Sequence, residues 1–394
     1  MSKSRSLRYL EYIQQQTYDA YSQGALARYL DSPITHDMIN IAMGDDPEQQ
    51  QVRSDMAAEV RQTWKDALVD APTRFQDPLD YVLITGLADK IEAVLPKEAR
   101  EGLRSRLIFG TLPSGRVNAM TVAVPGTQEH LILFEDQMFT FALLMSKVVL
   151  QSVPYSLTDG AVHFSVRNED VSAEIERSPV VVERFTEALI GYAVLGRPSL
   201  AKPYTLDDKY RQMVSGMLTN AVGLFVMGHE YGHILLGHTD NASPVKGVLA
   251  DLTEVDELDF DWIQEFSADW IGIKVAINAM RQSYGTDLAL SYWGAELFFS
   301  SLDVMDRAVS YLKYGDESRW QVGTHPPNKI RRELLREAVK KDVGEKAAIG
   351  PIRLGRQVEF AMNALWERTR PKLETLRGRG VGPAKMWSIT EVQT

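Results

Sequence analysis

The pentapeptide His229-Glu230-Tyr231-Gly232-His233 carries the densest chemistry in the chain, and it sits inside a helical-looking run from Val222 to Leu236. At about 100° per residue, four positions bring His233 to within roughly 40° of His229 and one turn further on. Both imidazoles can then reach one ion. Neutral imidazole suits Zn2+. Glu230 follows the first His directly, so it is rotated beside such an ion, where it can take a proton from water. The alternative is a helix carrying two partly buried polar His. A pentapeptide of this pattern arises by chance in about one chain in a hundred of this size, so it needs support from elsewhere.

Support comes from Glu265-Phe266-Ser267-Ala268-Asp269, an E-x-x-x-D on the next strongly helical segment, 32 residues after His233. A catalytic zinc wants three protein ligands and an open position, and a carboxylate from a second helix completes a His2Glu set. Asp269, one turn beyond Glu265, is placed to accept the other ring N–H of a ligand His and fix its tautomer. The bland alternative is a salt-bridged or solvated acidic face. The small residues between the two acids and the apolar Phe266, Trp270 and Ile271 around them favour the ligand reading.

The set His229-Glu230-x-x-His233 with Glu265-x-x-x-Asp269 resembles the gluzincin metallopeptidases, and within them the soluble relatives of the CAAX prenyl protease and heat-shock membrane protease family. Two further segments carry the resemblance. Asn118-Ala119, ahead of an apolar strand and a Pro-Gly turn, resembles the family's substrate-side edge strand. Thr324-His325-Pro326-Pro327, followed by Ile330, Arg331 and Leu334, resembles its His-Pro element. The resemblance implies a zincin-like core with His229, His233 and Glu265 on zinc, Asp269 behind them and Glu230 as general base. It also implies His325 as an oxyanion donor, although a loop His capping the following helix is the plainer reading, and a protein or peptide substrate along Asn118 and Ala119. Zinc-dependent peptide hydrolysis is the expected function. The alternatives are a narrow-specificity regulatory endopeptidase of a bacterial stress or phage-defence system, and a non-catalytic zinc-stabilised binding protein. His238 does not fit the metzincin pattern, which would need Gly at position 236 and His at 239 where the chain has Leu236 and Thr239; it reads as a helix-end residue.

The elements that must position these residues are mostly helical. Apolar residues at three- and four-residue steps, such as Leu83, Leu87, Ile91 and Val94, predict amphipathic helices from Leu7 to about Arg106. Arg116 to Val124 alternates, Pro125-Gly126 marks a turn and His130 to Phe134 is again apolar, which predicts a hairpin. A short strand is expected within Asp159 to Val166. Helices are expected over 136–153, 180–194, 209–236, 258–280, 288–314, 327–339 and around 358–376. The fold class expected is therefore α+β, mostly α-helical, with a small, mostly antiparallel sheet against the zinc-binding helices. The expected organisation is a helical N-terminal region (1–110), a metallopeptidase domain (111–340, with an insertion at about 155–210) and a C-terminal helical segment with a tail (341–394).

Composition bounds the partners. Among 394 residues, 43 Lys and Arg face 53 Asp and Glu, a net charge of −10, which disfavours a nucleic-acid binder working through a broadly basic face. The absence of cysteine removes thiol nucleophiles, disulfides and Cys-rich zinc sites. Eight acids and no base between Asp251 and Asp269 read as a solvated approach to a helix, or as a preference for a basic substrate. The stretches Leu131–Leu150 and Ala221–Leu236 are both interrupted by ionisable residues, so no membrane span is expected. No secretory leader is visible, and a cytoplasmic location is expected.

Overall fold

Aspartate side chains cap four of the helices. A computed structural model of the chain describes residues 4–21, scattered positions between 51 and 69, and residues 71–112, 119–159, 161–241, 243–245, 257–259, 261–318, 326–384 and 387. Asp77 caps α2 (Pro78–Val94, following α1 at Arg5–Tyr21) by accepting the N–H groups of Leu79 and Asp80. After α3 (Met138–Ser152), α4 (Asn168–Arg177) and α5 (Pro179–Leu195), Asp208 caps α6 (Lys209–Leu235) in the same way. Asp261 forms a reciprocal capping box with Gln264 at the start of α7 (Trp262–Tyr284), and Asp287 caps α8 (Leu288–Tyr314). Each such cap is worth about 1 kcal/mol. Gly285 and Gly315, both left-handed, end α7 and α8 where a Cβ would be strained. The chain continues through α9 (Asn328–Val343) and α10 (Glu345–Gly378).

The expected hairpin is present as β2 (Ala119–Ala123) and β3 (His130–Glu135), joined through Gly126 at a φ of 69°. A further strand, β1 (Leu107–Leu112), pairs in parallel with β3, giving the order β1-β3-β2 and leaving β2 at an edge. The central sheet is thus mixed. Leu107-Ile108-Phe109 is a continuous apolar run without alternation, which sequence periodicity cannot assign to a strand. Two two-stranded antiparallel sheets, β4–β5 (Tyr155–Thr158, Ala161–Phe164) and β6–β7 (Ser243–Val245, Glu257–Asp259), lie outside the central one.

Period two then decides which face of the sheet meets which helix. Val122, Leu131 and Leu133 pack with Leu10 and Ile13 of α1. Ala119, Ile132 and Phe134 point the other way into the main core. That core is built chiefly by α3, α5, α6, α8 and α10 around Phe225, Trp293 and Trp366, and it draws on residues from Ile84 to Trp387. The fold is α+β and predominantly helical, as expected from the sequence.

Two helix starts differ from expectation by four residues or more. Leu258 belongs to β7, and α7 begins only at Trp262, because the Asp261 side chain occupies the cap position. The C-terminal helix begins at Glu345, well before Val358, and carries Pro351 and Pro371 in its interior. Pro351, Ile352 and Leu354 are buried, and α10 packs along α8, so tertiary burial outweighs the breaking tendency of the proline. Among the described residues, no helix is long and apolar enough to cross a membrane.

Candidate metal centre

α6 and α7 cross with their backbones in contact. A methyl group on Gly232 would lie 2.9 Å from the Cα of Ala268, and one on Gly228 would lie 3.0 Å from the Cα of Gly272. Small residues four apart on both helices, Gly228 with Gly232 and Ala268 with Gly272, permit this approach. Its consequence is chemical: Glu265 and Asp269 of α7 are brought within reach of the histidines of α6.

His229 Nε2 and His233 Nε2 are 3.1 Å apart. Glu265 offers Oε2 at 3.7 Å from the first nitrogen and Oε1 at 3.4 Å from the second. Four ligands at zinc bond lengths of about 2.0–2.1 Å around a tetrahedron have neighbouring donor atoms roughly 3.3 Å apart. The three side chains therefore fit one divalent ion, and they form the group of this kind found among the described residues. All three are buried, Glu265 completely.

The opposite nitrogen of His229, Nδ1, lies 2.9 Å from Asp269 Oδ1. That contact holds the proton on Nδ1 and leaves the Nε2 lone pair for a metal. Asp269 is itself gripped by Arg331 of α9, with Nε to Oδ2 at 2.8 Å and Nη2 to Oδ1 at 2.6 Å. The same guanidinium reaches Glu265 Oε2 at 3.4 Å and lies over the Phe299 ring. Behind His233, the Nδ1 of His238 stands 3.1 Å from its Nδ1. His238 opens a one-turn helix after Gly237, so it does stand at a helix end, but its ring also meets a candidate ligand.

Electrostatics follow from burial and these pairings. Burial opposes ionisation of Asp269, but Arg331 and His229 outweigh it and hold the carboxyl below its usual range. Burial likewise opposes protonation of His229, and the Asp269 carboxylate reverses the sign, raising its pKa. Burial dominates at His233 and lowers it to about 3, despite the pull of Glu265, so its ring is neutral and available as a ligand at neutral pH. Glu230 is raised, chiefly by desolvation, with His229 and a hydrogen bond from Thr121 opposing the shift.

Glu230 is not part of the ligand cluster. Its Oε2 accepts a hydrogen bond from Thr121 Oγ at 2.7 Å, which turns the carboxylate toward β2. Ala119, the first residue of that edge strand, is buried and pairs with Phe134. Asn118 and His325 lie outside the described residues.

The structure brings together His229, His233, Glu265 and Asp269 and turns Glu230 toward β2; spacing in the sequence brings forward those four and Glu230. Sequence reasoning does not find Thr121, and it reaches Arg331 only through the family resemblance and His238 only as a helix end. Thr121 stands 109 residues from its partner. Arg331 had one local signal, a basic residue at the start of a helix after Pro326-Pro327, and that signal is not specific. Comparison with known proteins finds no matching family model, no matching curated protein and no matching solved structure.

Proposed function

We propose that the protein is a zinc-dependent peptidase. The observation that carries this reading is the convergence of three buried ligand atoms beside a carboxylate that is itself directed elsewhere. A structural zinc site needs four closed ligands and no base. Here three side chains are at ligand distance from one another, and Glu230, the residue after His229, feels the charges of His229 and Glu265 while its Oε2 accepts from Thr121.

His229, His233 and Glu265 would hold the ion. When bound, zinc supplies a Lewis acid that polarises a peptide carbonyl and acidifies water. Glu230 removes a proton from the attacking water and passes it to the leaving amine, a role favoured by a carboxyl pKa lifted above the ordinary range by burial. Asp269 keeps His229 in the ligating tautomer, and Arg331 keeps Asp269 ionised. An extended peptide would pair along β2, an edge strand of the three-stranded sheet beside which β7 lies.

The test is to incubate the zinc-loaded protein, and a Glu230→Gln control, with cell extract and to map newly formed peptide termini. New termini in the wild-type reaction that are missing from the control are expected. Identical termini in both reactions would overturn the proposal and leave a zinc-stabilised binding protein as the better reading.

A further inference from the structure

We propose that Thr121 is a positioning residue that ties the Glu230 carboxylate to the strand on which substrate would lie. The inference rests on the peptidase reading above and names the part of the site that sets the direction of its base.

The Thr121 hydroxyl has one proton, and at 2.7 Å it is directed to Glu230 Oε2. Both residues are buried, at 3% and 4% exposure, so water competes little for either group. A hydrogen bond to a charged acceptor in such surroundings is stronger than one between neutral groups. Thr121 is β-branched and sits mid-strand, opposite Ile132, which restricts its χ1 and therefore the direction of the hydroxyl. The bond occupies one carboxylate oxygen and leaves Oε1 outside it. Because α6 carries Glu230 and β2 carries Thr121, this contact fixes the base in register with the sheet edge as well as with the metal helix. A carboxylate tethered at one oxygen cannot rotate away when proton transfer begins, and positional error at that atom is costly to catalysis.

The experiment uses zinc-loaded full-length protein and acetohydroxamate, a small chelator whose N–H and O–H protons need a nearby acceptor. Binding is measured by calorimetry after zinc content and the urea unfolding midpoint have been checked. Thr121→Val, nearly isosteric, should retain zinc and weaken acetohydroxamate binding about tenfold. Thr121→Ser, which restores the donor, should bind within about twofold of wild type. In a Glu230→Ala background, which has no carboxylate to position, Thr121→Val should have no further effect. With labelled casein as substrate, Thr121→Val should lower kcat and leave KM unchanged. If Thr121→Val does not fold, Thr121→Ala removes the same donor and takes its place. Wild-type binding by the Val variant, failure of Ser to restore it, or an undiminished Val effect in the Glu230→Ala background would each overturn the proposal. Failure of the wild-type protein to take up zinc is read separately from the zinc content, and it would overturn the peptidase reading together with the role assigned to Thr121.

Discussion

Gly272 of α7 lies so close to His229 of α6 that a methyl group there would stand 2.9 Å from the His229 backbone nitrogen and 3.2 Å from its Cα. Neither contact involves a side chain that could swing aside. The helix that supplies a candidate ligand and the helix that supplies its carboxylate partners are thus spaced by the absence of one carbon atom.

Gly272→Ala should therefore push the two helices apart. Overpacking of this kind costs roughly 1–3 kcal/mol, and metal binding should weaken with it because Glu265 moves with α7. Gly216→Ala is the control, since a methyl at that position of α6 meets nothing within 4 Å. It should be neutral or stabilising by up to about 1 kcal/mol, through helix propensity alone. Urea unfolding and zinc content of the two variants decide the matter; equal behaviour would mean that the crossing is not set by the glycine.

Protein purified without added metal should carry one zinc per chain, measured by elemental analysis. His229→Ala and His233→Ala should each remove it while leaving most helical circular dichroism intact, because the apolar core draws on residues from Ile84 to Trp387 and includes none of the ligand side chains. Zinc near zero in the wild type, with no uptake on addition, would remove the basis for the metalloenzyme reading.

Asp269→Asn should weaken zinc by roughly 10–100-fold, the usual scale for a group that orients a ligand. It should also destabilise the fold by roughly 3–5 kcal/mol, because Arg331 is left charged and buried without its bidentate partner. Adding Arg331→Met should recover part of the stability and none of the zinc affinity. Glu265→Ala should lower zinc occupancy more than Asp269→Asn does. The reverse ranking, read by competition with a chromophoric chelator, would exchange the roles of the two acids.

Lys147 gives the fold its own pH dependence, away from the metal centre. It is fully buried on α3, donating to the Tyr204 carbonyl at 2.6 Å, and desolvation, with a smaller push from Arg184, lowers its pKa to about 7. An unfolded Lys titrates near 10.4. Between those values the unfolded chain binds more protons than the folded one, so this residue's contribution makes stability rise with pH from about 7 toward 10 and reach its floor below 7. Lys147→Met should flatten that slope in urea titrations taken between pH 6 and 10. An unchanged slope would mean that the buried amine keeps its charge in the folded state.

The sequence by itself determined what local geometry can encode. Four residues of helix set His229 beside His233, and four more set Glu265 beside Asp269, whatever the rest of the chain does. It also determined α8, read as Leu288 to Tyr314 and found as Leu288–Tyr314, because a long apolar helix between Asp287 and Gly315 carries its own start and stop. Only the tertiary structure decided that β1 joins β3 in parallel, that α10 runs through Pro351, and that Thr121 and Arg331 reach the centre. The physical reason is range: periodicity reports the nearest turn of the same element. Thr121 with Glu230 joins β2 to α6 and Arg331 with Asp269 joins α9 to α7, pairs that no single element's period contains. The reach of Glu265 and Asp269 to the histidines depends on how close α6 and α7 can come, and the hydrogens of Gly228, Gly232 and Gly272 set that distance.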